Sequence, residues 1–386
     1  MFLALMLISL FGVFYAYFGY PMLLLLIAPF KKGPQPRSAI DMENIPKISL
    51  IITARNEEAV IGDKLNNSLS LRYPIPVQII VASDASDDST DYIVGQYREK
   101  GVQLVRSETR GGKEYAQGKA MRESAGDVIV FTDAKVRLAP DALEKFACYF
   151  YDEKVGAVSS LDQVEPNSAG ESSGEGVYVA YEMGIRRMES RIATLVGLSG
   201  SCFAVRRELC EPWCDDLPSD FALLLRAVQG GYRGVHADDV VHYYQTVSSS
   251  KKEFGRKVRT VLRGISTVFA RAEALNPAKY GVFSLLLISH KLTRWLVPWF
   301  VVLGLLVLPI LLIESFVYFP LLVGLVVFCL IGLVGPWVDG FRDSTLCKIC
   351  NFFIISNAGV FIAWLHFFSG KRRISWEPSE KGVFNS

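Results

Sequence analysis

The feature that most constrains this chain is where its apolar residues lie. Residues 1–30 (MFLALMLISLFGVFYAYFGYPMLLLLIAPF) contain no charged side chain. Three more apolar stretches, at about 293–313, 316–336 and 349–368, close the sequence. A bilayer core needs about 20 apolar residues of helix, so each end reads as membrane-spanning. The first stretch lacks a basic leader and a small-residue cleavage site, which distinguishes it from a signal peptide. Lys31, Lys32 and Arg37 follow it directly. By the positive-inside rule the N-terminus is expected outside and the middle of the chain in the cytosol. Four full crossings would then put Lys371, Arg372 and Arg373 outside, against the same rule, so either the last stretch is re-entrant, or one stretch does not cross, or the charge rule is overruled here. Glu314 and Ser315 alone separate two of the stretches, which predicts a tight antiparallel hairpin. Lys291 and Arg294, in SLLLISHKLTRW, suit an interfacial helix whose charges snorkel toward headgroups, with Trp295 and Trp299 in the aromatic belt.

Between these ends lies a mixed, charged segment of roughly 240 residues, enough to bury a sizeable core. Over the whole chain, 51% hydrophobic residues and a mean hydropathy of +0.27 sit beside 21% charged residues. That excludes both an ordinary soluble protein and a pure bundle of spans. The net charge of +2 gives no electrostatic footprint for nucleic acid. The seven cysteines include one CxxC, Cys347 and Cys350, with no second pair or nearby histidine, so buried reduced thiols are expected rather than a zinc site.

The middle alternates. ISLIIT, VQIIVAS and DVIVFTDAKV read as buried strands and VQLVRS as a short strand, with helices over EEAVIGDKLNNSLSL, DYIVGQYREKG and the residues up to Ala125. This spacing predicts right-handed βαβ units and a parallel-rich sheet covered on both faces, with ligands at the carboxyl ends of the strands. Asp84 and Asp133 fall at two such ends. Each could be a turn residue; both at one edge point to ligand binding, with Asp133 suited to a hard cation. Lys113 could contact phosphate, hold its Gly-rich loop, or be solvated. Asp220, after Pro218-Ser219, could be a helix N-cap or an ionised proton acceptor at a helix start. Lys251, Lys252, Arg256, Lys257, Arg259 and Arg263 form a basic helix suited to anionic headgroups, with Arg256 and Arg259 also able to grip a diphosphate.

Taken in order, these segments resemble the family-2 inverting glycosyltransferases, in the membrane-bound bacterial branch related to polysaccharide synthases. ITARNEE looks like the opening strand, ASDASDDSTD the aspartate-rich donor loop with Ala85 in place of glycine, and RGGK the Gly-Lys segment. FTDAK looks like the metal-binding DxD, and SGSCFAVRREL, PSDF and GYRG like the acceptor loop, acidic motif and following turn. SHKLTRWLVP and GKRRISWEP are similar to the branch's membrane-proximal and C-terminal segments.

The resemblance implies a GT-A-like domain over 46–245 in an α/β chain. It sets a transmembrane helix at 1–30, amphipathic interfacial helices at 246–292, transmembrane helices at 293–370 and a tail at 371–386. It implies a nucleotide-diphosphate sugar donor, UDP-linked, and a lipid-linked or saccharide acceptor at the cytosolic face of a bacterial inner membrane. Asn56, Glu57, Asp84, Lys113, Asp133, Arg256 and Arg259 would bind donor, with Asp133 also holding Mg2+ or Mn2+, and Asp220 would be the base. Three departures stand out. Lys135 replaces the second acid of the DxD, Ser219 precedes Asp220 where a carboxylate is usual, and the QxxRW motif lacks its Gln and Trp. The first favours a non-catalytic assembly subunit as a rival reading. The last favours few additions over a processive polysaccharide synthase.

Overall fold

The computed structural model describes residues 1–165, 174–244 and 250–371; the side chains of 174–177 and 250–253 also fall outside the description. Lys251, Lys252, Arg372 and Arg373 therefore lie outside the described side chains.

Strand β1 (Ile48–Ala54) is buried at every position. Its alternation explains why. Leu50, Ile52 and Ala54 face one core together with Ile61 and Leu65 of helix α2 (Ile61–Leu69), while Ile51 faces a second core with Ala116, Ala120 and Met121 of α4 (Lys113–Arg122). A strand covered on both faces must be apolar on both. β2 (Gln78–Ser83) and β4 (Val128–Asp133) flank β1 in parallel, and β3 (Val102–Arg106) extends the sheet beyond β2. The short α3 (Thr90–Gly95) lies between β2 and β3 in sequence. This half agrees with the sequence expectation.

The other half is mixed. The eight strands run β3-β2-β1-β4-β7-β6-β8-β5, with β5 (Val136–Leu138), β6 (Val155–Val164), β7 (Cys202–Arg206) and β8 (Arg233–Tyr244). β7 is antiparallel to both β4 and β6; β8 is parallel to β6; β5 is antiparallel to β8. Only Ala134 and Lys135 separate β4 from β5, too few for a parallel crossover. β5 instead pairs with the end of β8, beyond a register shift at Ser160/Leu161 where the strand pair departs from regular pairing. Helices α5 (Ala142–Tyr149), α6 (Gly174–Ile192) and α7 (Ser219–Gln229) complete the domain, and α8 (Ser250–Ala270) leads away from it.

Among the described residues four helices are long and apolar enough to cross a membrane: α1 (Phe2–Phe30), α9 (Val282–Glu314), α10 (Phe316–Trp337) and α11 (Thr345–Phe368). α1 and α9 approach closely through small residues, with Ser9 Oγ donating to the Phe300 carbonyl at 2.6 Å and Gly12 lying against the Phe300 ring. The expected hairpin is looser than the sequence suggests: α9 packs chiefly on α1, and α10 on α11. The snorkelling expectation is corrected. SLLLISHKLTRW is the first part of α9, Arg294 turns inward to pair with Glu182 of α6 at 2.8 Å, and Lys291 lies over the Phe221 ring. A carboxylate within reach outcompetes headgroups. All seven cysteines are free.

Candidate functional site

The carboxyl ends of β1, β2 and β4 meet at one edge. The register pairs Ala54 with Ser83 and Thr53 with Asp133, so Asp84 and Asp133 leave the sheet on either side of β1. Asp84 is wholly buried. Its Oδ1 accepts from the Gly111 and Gly112 N–H groups at 2.8 and 3.0 Å, and its Oδ2 from Gly112 at 3.1 Å. Gly112 has φ +95°, a conformation that favours glycine, and this places both N–H groups toward one carboxylate. Asp84 thus anchors the Gly-Gly-Lys loop. The loop after β2 is held from its other side: Arg55 Nη1 donates to the Asp84 and Ala85 carbonyls at 2.7 and 2.8 Å, and Arg106 Nη1 to the Ser86 carbonyl at 2.8 Å. Asn56, at φ +50°, accepts from the Asp87 N–H through Oδ1 at 3.0 Å. It is thereby part of the same loop's scaffold.

Lys113 is not solvated. Its side chain is 11% exposed, and Nζ reaches Asp133 Oδ1 at 2.5 Å and the Gly200 carbonyl at 2.8 Å. Gly200 in turn lies beside Asp220: a Cβ built on it would stand 3.6 Å from Asp220 Oδ2. One ammonium and one loop residue therefore connect the end of β4 to the start of α7. That start is pinned by a chain the sequence reading missed. Ser219 Oγ donates to Gln117 Oε1 at 2.7 Å, and Gln117 Nε2 donates to Thr53 Oγ1 at 3.1 Å. Nothing in a lone Gln and Ser signals such a bond; only the folded arrangement of α4, α7 and β1 makes them partners. The N-cap reading of Asp220 is corrected, since Pro218 occupies the cap and Asp220 sits within the first turn without a capping bond.

Lys135 pairs with Glu57 at 3.1 Å. Burial pushes the Glu57 carboxyl up to about 7, and Lys135 opposes the shift. Below the turn, buried Lys64 donates to Thr132 Oγ1 at 3.0 Å and to the Val136 carbonyl at 2.6 Å, bracketing residues 133–135 from the other face. Burial lowers its ammonium to about 8. Among the described residues no group of three or more His, Cys, Asp or Glu side chains could hold a metal. Asp133, 31% exposed, fits the lesser role of one carboxylate ligand. Mg2+ is commonly held by one or two carboxylates plus substrate phosphates, so the donor set suits a cation brought with a diphosphate.

Arg256 and Arg259 are half-buried on α8. At spacings of three and four they share a helical face with Arg263, which donates to Glu114 beside Lys113. The face thus leads to the loop that holds Asp84 and Asp133.

Residues 49–213 match the family described as Glycosyl transferase family 2. The chain carries a family-2 glycosyltransferase domain. Probable glycosyltransferase YdaM of Bacillus subtilis is 32% identical over 219 residues, 51% of this chain and 50% of that protein. Beta-monoglucosyldiacylglycerol synthase of Trichormus variabilis is 27% identical over 198 residues, 47% of this chain and 42% of that protein. The chain spans about half the length of the curated relatives it matches. Mannosyltransferase PcManGT of Pyrobaculum calidifontis, solved in complex with GDP-Man and Mn2+, has the same fold. Its TM-score is 0.72 at 23% identity, over 95% of this chain and 99% of that one. The matched region is therefore built on a GT-A-like sheet, and among the described residues four long apolar helices flank it.

Proposed function

We propose that the chain is a membrane-anchored inverting sugar transferase. It would move a sugar from a nucleoside-diphosphate donor to a hydroxyl of a membrane-associated saccharide or lipid-linked acceptor. The observation that supports this reading is the bonding of Lys113 to Asp133 and to the Gly200 carbonyl, with Gly200 beside Asp220, so that two candidate carboxylates share one small region. In this reading Asp133 would hold a divalent cation together with the donor's phosphates, and such a cation would supply positive charge for a departing diphosphate. Lys113, which holds Asp133 Oδ1 here, would be the ammonium available to a donor phosphate oxygen. Arg256 and Arg259 supply further positive charge from α8. Asn56, Glu57 and Asp84 hold the loops that line the nucleoside. Asp220, in the first turn of α7, is favoured as an anion by the helix dipole and accepts the attacking hydroxyl's proton.

A second reading follows from the Lys135–Glu57 ion pair, which takes up the position where a second metal-binding acid is usual. It makes the chain a binding subunit without turnover.

Asp220→Asn separates the two. It keeps the size of the side chain and removes the proton acceptor. If Asp220 is the base, transfer falls by roughly 10²-fold or more while donor affinity by calorimetry stays within about twofold. Near-normal transfer by the variant would move the base elsewhere. Absence of transfer by the unaltered protein with every nucleotide sugar would favour the binding subunit.

A further inference from the structure

A second group of charges lies between the sheet and the first half of α9, and the transfer step as described makes no use of it. α6 presents two buried or nearly buried carboxylates. Glu189 Oε1 takes the Tyr20 hydroxyl at 2.5 Å and His290 Nδ1 at 2.6 Å. Glu182 takes Arg294 Nη1 at 2.8 Å and His290 Nε2 at 3.1 Å. Two cations remain. Arg186 reaches Glu182 only at 3.6 Å, and its Nη1 is buried with no hydrogen-bond partner. Lys291 has no acceptor among the described residues and stands 4.8 Å over the Phe221 ring.

Arg186, Lys291 and Asp220 lie within electrostatic reach of one another. The loop from Gly197 to Gly200 spans the same gap. A Cβ at Gly197 would stand 2.8 Å from Lys291 Nζ, while one at Gly200 would stand 3.6 Å from Asp220 Oδ2. Lys291 belongs to a π-turn, Ile288–Leu292, a local widening of the helix frequent at functional sites. The buried, unmet donor on the Arg186 guanidinium, with the half-buried Lys291 ammonium near it, calls for an anionic acceptor. Phosphate oxygens meet that need for both groups at once.

We propose that Arg186 and Lys291 form an anion subsite beside Asp220 that holds a phosphate group of a membrane-embedded acceptor. The assignment to acceptor rather than donor follows from position. The donor-side groups, Asp133 and Lys113, lie at the far end of the Gly200 carbonyl, whereas Lys291 is carried by an apolar helix long enough to cross the bilayer. The subsite rests on the reading of Asp220 as the acceptor-side base. It would bring the acceptor's phosphate to the membrane side of Asp220 and leave a sugar hydroxyl of the acceptor facing that carboxylate.

The test uses the full chain in maltoside micelles with farnesyl diphosphate, farnesol and free UDP or GDP as probes, each measured by calorimetry. Farnesyl diphosphate is expected to bind at least tenfold more tightly than farnesol. Lys291→Met and Arg186→Gln should each weaken farnesyl diphosphate by about tenfold, the scale of one charge-assisted contact, and leave the nucleoside diphosphate within about twofold. Lys291→Arg should retain binding. If Lys291→Met does not fold, Gly197→Ala displaces the ammonium without removing it and should weaken the lipid several-fold. Equal binding of farnesol and farnesyl diphosphate overturns the subsite, as does unchanged lipid affinity in folded variants. Parallel loss of lipid and nucleotide binding assigns the cations to the donor's diphosphate instead. A nucleoside diphosphate that fails to bind the unaltered protein speaks against the donor site and is separate from the lipid result.

Discussion

Lys113 and Lys135 each occupy a carboxylate that a hard cation could use, and they do so differently. Lys135 closes a buried pair with Glu57, whereas Lys113 holds Asp133 and a backbone carbonyl in a place where Asp133 stays partly open. An ammonium and a metal ion compete for the same oxygen, so Lys113→Met should tighten Mn2+ binding to the donor-free protein by about three- to tenfold. It should also slow transfer, because a phosphate ligand is lost. Electron paramagnetic resonance of Mn2+ reads the first effect, and an unchanged Mn2+ affinity would contradict the competition. Asp84, Asp133 and Asp220 were legible in the sequence because each follows a strand end or opens a helix. Their partners were not. The Gly111–Gly112 cradle, the Gly200 carbonyl and the Ser219–Gln117–Thr53 chain are relations between distant residues with no local pattern.

At the scale of elements, β1, β2 and β4 were readable because strands buried on both faces give continuous apolar runs, and the mostly exposed edge strand β3 followed from the alternating strand–helix spacing. β6 and β8 were not, since VGAVSSLDQV and RGVHADDVVHYY mix Ser, Asp and His into partly exposed strands. The antiparallel β7 is five residues long and carries no mark of its direction. The turn from β4 to β5 rests on Lys64, and that support is sensitive to pH. The folded-state value of about 8 lies below the ordinary 10.5, so the folded chain binds fewer protons than the unfolded chain between those limits. The resulting penalty is full below pH 8 and fades as pH rises toward 10.5. The melting temperature of the wild-type protein relative to Lys64→Met should therefore rise across that interval. A difference that does not vary with pH would refute the assignment of a charged, desolvated Lys64.

For the whole molecule, the apolar ends announced long apolar helices, and among the described residues four are long and apolar enough to cross a membrane. Their mutual packing was hidden, because lipid-facing and helix-facing leucines look alike in sequence. Lys291 and Arg294 looked like headgroup anchors since Glu182, their neighbour in space, is more than a hundred residues away in the chain. The expected cytosolic placement of the domain makes exposed Glu99 a suitable probe. A cysteine placed there should resist a membrane-impermeant maleimide in intact cells and react once the cells are broken; ready labelling of intact cells would reverse the orientation. The central claim, cation-assisted sugar transfer at the β4–α7 site, is tested most directly by offering membranes that contain the full chain a panel of UDP- and GDP-sugars and measuring the nucleoside diphosphate released. The account predicts release from one donor that depends on Mg2+ or Mn2+ and is abolished in Asp133→Ala. Release that persists in excess chelator, or that Asp133→Ala leaves intact, would contradict it.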